Sequence, residues 1–169
     1  KKYSISKIVF VVGNDFLPKI ERVFLLEEGL DMMVTIYKDG KHSFTKDGKI
    51  LQNKFVKFIE EVSLTETKNL CERADRHFPS EKFENVTLKS CISSVLSDGD
   101  IKKSIDMNKY KRLFYSTKLK FSTREEVVKM CKEYVRGLFW VFYYYTSGCP
   151  DYKWYYPYHY PPFMVDIVR

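Results

Sequence analysis

The first pattern along the chain is a run with no polar position in it. Within "KIVFVVG" (7–13) every residue from Ile8 to Val12 is apolar, and the run stops at Gly13. That reads as a β-strand buried on both faces, as in a parallel sheet. "NDFLP" follows directly, so the carboxylate of Asp15 is expected just past the strand's carboxyl end, where ligands collect in open α/β sheets. The period then changes. Ile20, Val23, Phe24, Leu30, Met33, Val34 and Tyr37 recur roughly every 3.6 residues and predict a helix. "KDGKHSFTKDGKI" (38–50) carries Asp-Gly turn signals and predicts a short hairpin, and "NKFVKFIEEVSLTETKNLCERADRHF" (53–78) returns to helix. From about Pro79 to Asp106 the periodicity fades among Ser, Asp, Gly and Asn, and a mobile connection is expected.

The clearest element comes last. "STREEVVKMCKEYVRGLFWVFYYYTSG" (122–148) opens with Thr123 and Glu126 at capping-box spacing. Val127, Val128, Cys131, Tyr134, Val135, Leu138, Phe139 and Phe142 give it an apolar face, and Gly148 suits its end. Towards that end it is apolar all round, so deep burial is expected, with Trp140 in the core. "WYYPYHYPPF" (154–163) follows. Pro157, Pro161 and Pro162 fix their own φ, remove backbone donors and push Tyr156 and Tyr160 towards extended conformations. The run is therefore a non-helical slab of rings, facing either the core or a ligand.

Composition narrows the choice. The chain has 169 residues, 44% hydrophobic and 30% charged, which suits one globular domain. Lys and Arg exceed Asp and Glu by 29 to 22, a net charge of +7 that permits an anionic partner without requiring one. The excess gathers in "KKSIDMNKYKRLFYSTKLK" (102–120), where Asp106 is the sole acid. Lys109, Lys111, Arg112, Lys118 and Lys120 there form a candidate phosphate-backbone track, with Tyr110, Phe114 and Tyr115 interleaved. A solvated helix face is the alternative. Cys71, Cys91, Cys131 and Cys149 show no CxxC and no histidine at metal-ligand spacing, so free thiols and no zinc site are expected. No run of about 20 apolar residues occurs, so no membrane span is expected. The chain opens on Lys1 rather than Met, as expected of a fragment or a processed piece.

Two separated motifs then agree. "FVVGNDFLP" (10–18) and "YVRGLFWVFYYYTSGCPDYKWYYPYHYPPF" (134–163) resemble the central region of the Xrn family of 5′→3′ exoribonucleases. "EEGLDMMVTIYK", "FTKDGKI" and "KRLFYSTKLKF" fall between them in that family's order, while about 64–106 match poorly. The resemblance implies a mostly α chain with the N-terminal parallel strand. Residues 1–20 would be the last strand and metal-binding turn of a nuclease core of the PIN and flap-endonuclease type, and 21–169 a helical region ending in the aromatic segment.

It further implies that Asp15 is a catalytic metal ligand for Mg2+ or Mn2+, and that Trp154 stacks on the 5′-terminal nucleotides of single-stranded RNA carrying a 5′-monophosphate. Tyr155, Tyr156, Tyr158 and Tyr160 are assigned to the core as its buttress, and His159 to a satisfied structural role. The family has two tryptophans separated by one residue before YYP, and here the first is Tyr152. Asp166 is assigned no role. The family's other metal carboxylates lie upstream of GNDFLP, so activity is expected only with the N-terminal part of the nuclease, in the same chain or a separate one. A non-catalytic RNA-binding remnant is the alternative. Cytoplasmic placement is expected, with "KYKR" (109–112) a weak pointer to the nucleus.

Overall fold

Helix α5 runs through Arg124–Ser147, and its start follows the capping box. Thr123 Oγ1 accepts from Glu126 N at 3.4 Å, and Glu126 Oε2 accepts from Thr123 N at 2.9 Å and Ser122 N at 2.8 Å. Those backbone donors hold the Glu126 carboxyl below the usual glutamate range. Met130, Tyr134, Leu138 and Val141 recur one turn apart and are buried, so one stripe faces the core. The helix stops at Gly148, whose φ of 95° is open to glycine at no steric cost.

The remaining elements are identified in a computed structural model that describes residues 11, 14–20, 28–39, 43–75, 83–97 and 100–169. In chain order they are α1 (Glu28–Asp39), β1 (Thr45–Lys46), β2 (Lys49–Ile50), α2 (Gln52–Asp75), α3 (Phe83–Ser90), β3 (Ile92–Ser97), β4 (Asp100–Ile105), α4 (Met107–Phe114), a π-turn (Tyr115–Leu119), α5 and α6 (Met164–Ile167). The described residues are mostly helical. Of the parallel strand expected at 7–13 only Val11 lies among the described residues, and it is buried but helical, so that position is corrected from strand to helix. The hairpin at 45–50 is as expected: Asp47 and Gly48 both have positive φ, the conformation of a tight primed turn. Phe44, fully buried beneath it, meets Tyr37, Phe55 and Phe58 at 5.3–5.4 Å.

The mobile connection expected over 79–106 is corrected. Helix α3 and the antiparallel β3–β4 hairpin, pairing Ile92 with Ile105, fill most of it. Serines and lysines hid the hairpin because its described side chains are largely exposed, leaving no apolar alternation to read. Burial of the end of α5 is also corrected: Tyr144 and Tyr145 are exposed, and Trp140 is half-buried at the core's edge. Among the described residues no helix is long and apolar enough to cross a membrane.

A buried polar lock joins α2, α4 and the chain's last described helix. Glu66, fully buried in α2, accepts from Met164 N and Val165 N at 3.1 Å each, placing its carboxylate on the first turn of α6. Asp166 pairs with Lys111 and accepts from Tyr115 Oη at 2.8 Å. The same Tyr115 oxygen accepts from Phe163 N at 3.0 Å. Burial and the Asp166 charge push the Tyr115 phenol well above the usual tyrosine range, so it stays a donor. Asp166→Ala would strand Lys111 and the Tyr115 hydroxyl, both buried. The expected cost is about 3 kcal/mol, measured by chemical denaturation; Asp166→Asn, which keeps one acceptor, should cost less.

Candidate RNA-contact site around Trp154 and the Asp15 turn

The two motif stretches meet on one glycine. Gly137 lies on the buried face of α5, in the middle of a helical run where glycine is otherwise unfavourable. A Cβ there would sit 2.6 Å from Leu17 Cδ2 and 2.7 Å from Trp154 Cη2. The helix backbone is thus the floor on which the turn after Asp15 and the aromatic slab touch. Tyr134, one turn earlier, donates its hydroxyl to Pro18 O at 3.0 Å and holds the end of the turn.

Within that turn Asn14, not Asp15, does the local capping. Asn14 Oδ1 accepts from Phe16 N at 2.9 Å and from Leu17 N at 2.8 Å. Asp15 is exposed and makes no hydrogen bond among the described residues. Phe16 lays its ring edge-on against Trp140 at 5.0 Å and Tyr144 at 4.8 Å, and Trp140 stacks on Tyr144 at 5.3 Å with 9° between the planes. Trp140 Nε1 donates to Asp151 O at 3.0 Å, which ties the helix to the chain leading into the slab.

Trp154 is half-buried. Its Nε1 donates to Glu133 Oε2 at 3.1 Å, Trp140 lies 5.7 Å away at 35°, and the Arg136 guanidinium sits 5.8 Å from the ring centroid. The rings after it divide. Tyr156 is buried edge-on against Tyr134 and donates to Tyr160 O, while Tyr158 and Tyr160 are half-buried. Burial raises the Tyr158 phenol from its ordinary value. The core assignment of Tyr155 is corrected: it is 73% exposed, and Tyr152 is 91% exposed. His159 is exposed too, so its assignment as a satisfied structural histidine is likewise corrected.

The basic track of 102–120 breaks up. Lys111 is buried against Asp166, and Lys109 donates to Ser90 O, the last carbonyl of α3. Lys118 lies 5.5 Å over the Tyr160 ring. Arg112 is exposed, and so is Lys120, whose φ of 60° closes the π-turn. Lys111 is therefore removed from the track, and Lys109 and Lys118 have protein partners. What the sequence reading missed is Asn14, Glu133, Arg136, Gly137 and Asp166. Gly137 had a signal, since a lone glycine within "YVRGLFW" marks a close approach; the others are placed by tertiary contacts. Among the described residues no group of three His, Cys, Asp or Glu side chains could hold a metal ion. Asp15 alone does not make such a site, because Mg2+ needs several oxygen ligands.

Comparison with known proteins gives matches over parts of the chain. Residues 96–169 match the family described as the Xrn1 helical domain. Saccharomyces cerevisiae 5′-3′ exoribonuclease 1 is 48% identical over 63 residues, which is 36% of this chain and 4% of that protein. Human 5′-3′ exoribonuclease 1 is 23% identical over a 222-position alignment covering 98% of this chain and 13% of the human protein. Candida albicans 5′-3′ exoribonuclease 2 is 29% identical over 109 residues, 53% of this chain and 11% of that protein. The chain therefore spans only a small part of the length of these relatives. The matches support the central region of the Xrn family as the chain's place, with the helical domain in its C-terminal half.

Gly137→Ala tests the contact at the centre of the site. Helix propensity alone would favour alanine by about 0.8–1 kcal/mol. The added methyl must instead displace Leu17 and the Trp154 ring, a clash of the kind that costs about 1–3 kcal/mol. The melting temperature should fall rather than rise, and Trp154 fluorescence should shift with it.

Proposed function

We propose that these residues form part of a 5′→3′ exoribonuclease that processively hydrolyses single-stranded, 5′-monophosphorylated RNA in RNA decay or processing. The observation that carries this reading is the meeting of the Asp15 turn and Trp154 on Gly137. It puts a carboxylate with no described hydrogen bond within two residues of Leu17, which packs over the same glycine as the tryptophan. The named activities of the relatives support the same reading. Trp154 and its neighbouring rings offer stacking that any base can use, which suits an enzyme that must advance through every sequence. Asp15 contributes one ligand to a Mg2+ or Mn2+ site whose remaining carboxylates lie outside the described residues, in the N-terminal part of the nuclease. Cytoplasmic RNA turnover is the proposed setting.

Two substitutions in the protein assembled with those carboxylates test this. Asp15→Ala should lower cleavage of 5′-monophosphorylated RNA by about a hundredfold or more while leaving binding within twofold, as loss of a metal-site group does. Surviving cleavage would remove Asp15 from the metal site, and binding without any cleavage in the parent protein would favour a non-catalytic RNA-binding role. Trp154→Ala should weaken single-strand binding by about 1–3 kcal/mol and shorten each processive run. A fall in thermal stability equal to the fall in binding would return that ring to the core.

A further inference from the structure

A second run of exposed cations, three with one valine among them, lies on α5 and does not stand out in the sequence. On α5, Arg124, Val128, Lys132 and Arg136 follow one another at single-turn intervals, and all are exposed. At 1.5 Å per residue this ridge is about 18 Å long. One end is Arg136, whose guanidinium lies over the Trp154 ring. The other opens into a cleft of about 360 Å³ between α4, α5 and α6, lined by Lys111, Arg112, Arg124, Asp166 and Arg169 among others. A second hollow beside the ridge brings in Lys129, with Glu125 opposite.

The acids along the path are mostly engaged. Asp166 is taken up by Lys111 and Tyr115, Glu133 by Trp154, and Glu126 by the helix cap. Glu125 is the exposed exception. Arg124, Lys129 and Lys132 have no acidic partner within salt-bridge distance among the described residues, and Arg136 has only the loose, half-exposed contact with Asp151 at 3.8 Å.

We infer that a single-stranded nucleic acid leaving the Trp154 platform runs along α5, its phosphates on Arg136, Lys132 and Arg124, and ends its protein contact at the cleft beside Arg112. This rests on the stacking role proposed for Trp154 and adds a direction and an exit to it. Val128, apolar and exposed between two cations, leaves room for sugar or base without a competing charge. Arg136 links the two parts, since its guanidinium packs on the ring and is held otherwise only by the long, half-exposed contact with Asp151, which a phosphate can replace.

The test compares two 3′-labelled, 5′-monophosphorylated RNAs, one about four and one about sixteen nucleotides long, bound to the full chain across a salt series. Arg124→Glu with Lys132→Glu should weaken the longer strand about tenfold and reduce the logarithmic salt slope by about 1.4, the value for two phosphate contacts on a single strand. The short strand should be unaffected, and the Gln pair should change the longer strand in the same direction by less. Trp154→Ala should weaken both strands. If the charge-reversed pair changes neither the affinity nor the slope of the longer strand while Trp154→Ala weakens both, the ridge is wrong and the platform stands. If the pair weakens both strands equally, the ridge is not a separate path and the inference fails. If only the ridge variants matter, the stacking role fails instead. An unsubstituted chain that binds neither strand overturns both.

Discussion

The absence of a side chain at Gly137 sets how closely three parts of the molecule approach. With no Cβ, α5 lets Leu17 and the outer edge of Trp154 rest on its backbone, where an added atom would lie under 3 Å from both. The backbone after Leu17 and the Trp154 ring are each tied to α5 as well. Pro18 O is tied to Tyr134, and Trp154 Nε1 is tied to Glu133, one turn back on the same helix. Helix α5 thereby acts as a ruler between a turn near one end of the chain and a slab near the other. The aromatic layer over Phe16, Trp140 and Tyr144 extends the same surface outwards.

The second constraint is electrostatic and sits on the far side of the slab. Burying Glu66, Asp166 and Lys111 is costly unless every lone pair and proton finds a partner. Here the partners are the first amides of α6, the Tyr115 hydroxyl and each other. The π-turn matters for this, since its wider coil carries Tyr115 out of α4 to where its oxygen can meet both Phe163 N and Asp166. The slab is thus clamped by packing at its start and by hydrogen bonds at its end. Its middle exposes Tyr155 and His159 while burying Tyr156, so it serves the core and the surface at once.

Much of this was legible from local pattern. The capping box of α5, the Asp-Gly hairpin and the long helix over 52–75 are written in short-range signals that tertiary packing did not override. The polar β3–β4 hairpin was not, because its serines and lysines carry no apolar alternation. Charge density misled in a different way. Lys111 looked like one of several solvated cations, and only the approach of Asp166, 55 residues along the chain, withdraws it from the surface. The same blindness hid the α5 ridge, whose cations are diluted in sequence by valines, aromatics and glutamates and gather only when wound on a helix.

The Glu66 carboxylate has a consequence for the order in which the molecule can assemble. It joins amides 98 and 99 residues further on, so the closing contact of the aromatic slab is among the least local in the chain. Contacts of that separation carry a loop-closure cost and form slowly compared with helices such as α2 or α5. During synthesis α2 is complete long before its partners leave the ribosome, and its buried acid must wait, hydrated, for Met164 and Val165. The Glu66 lock therefore closes only after residues 164–165 have returned to α2.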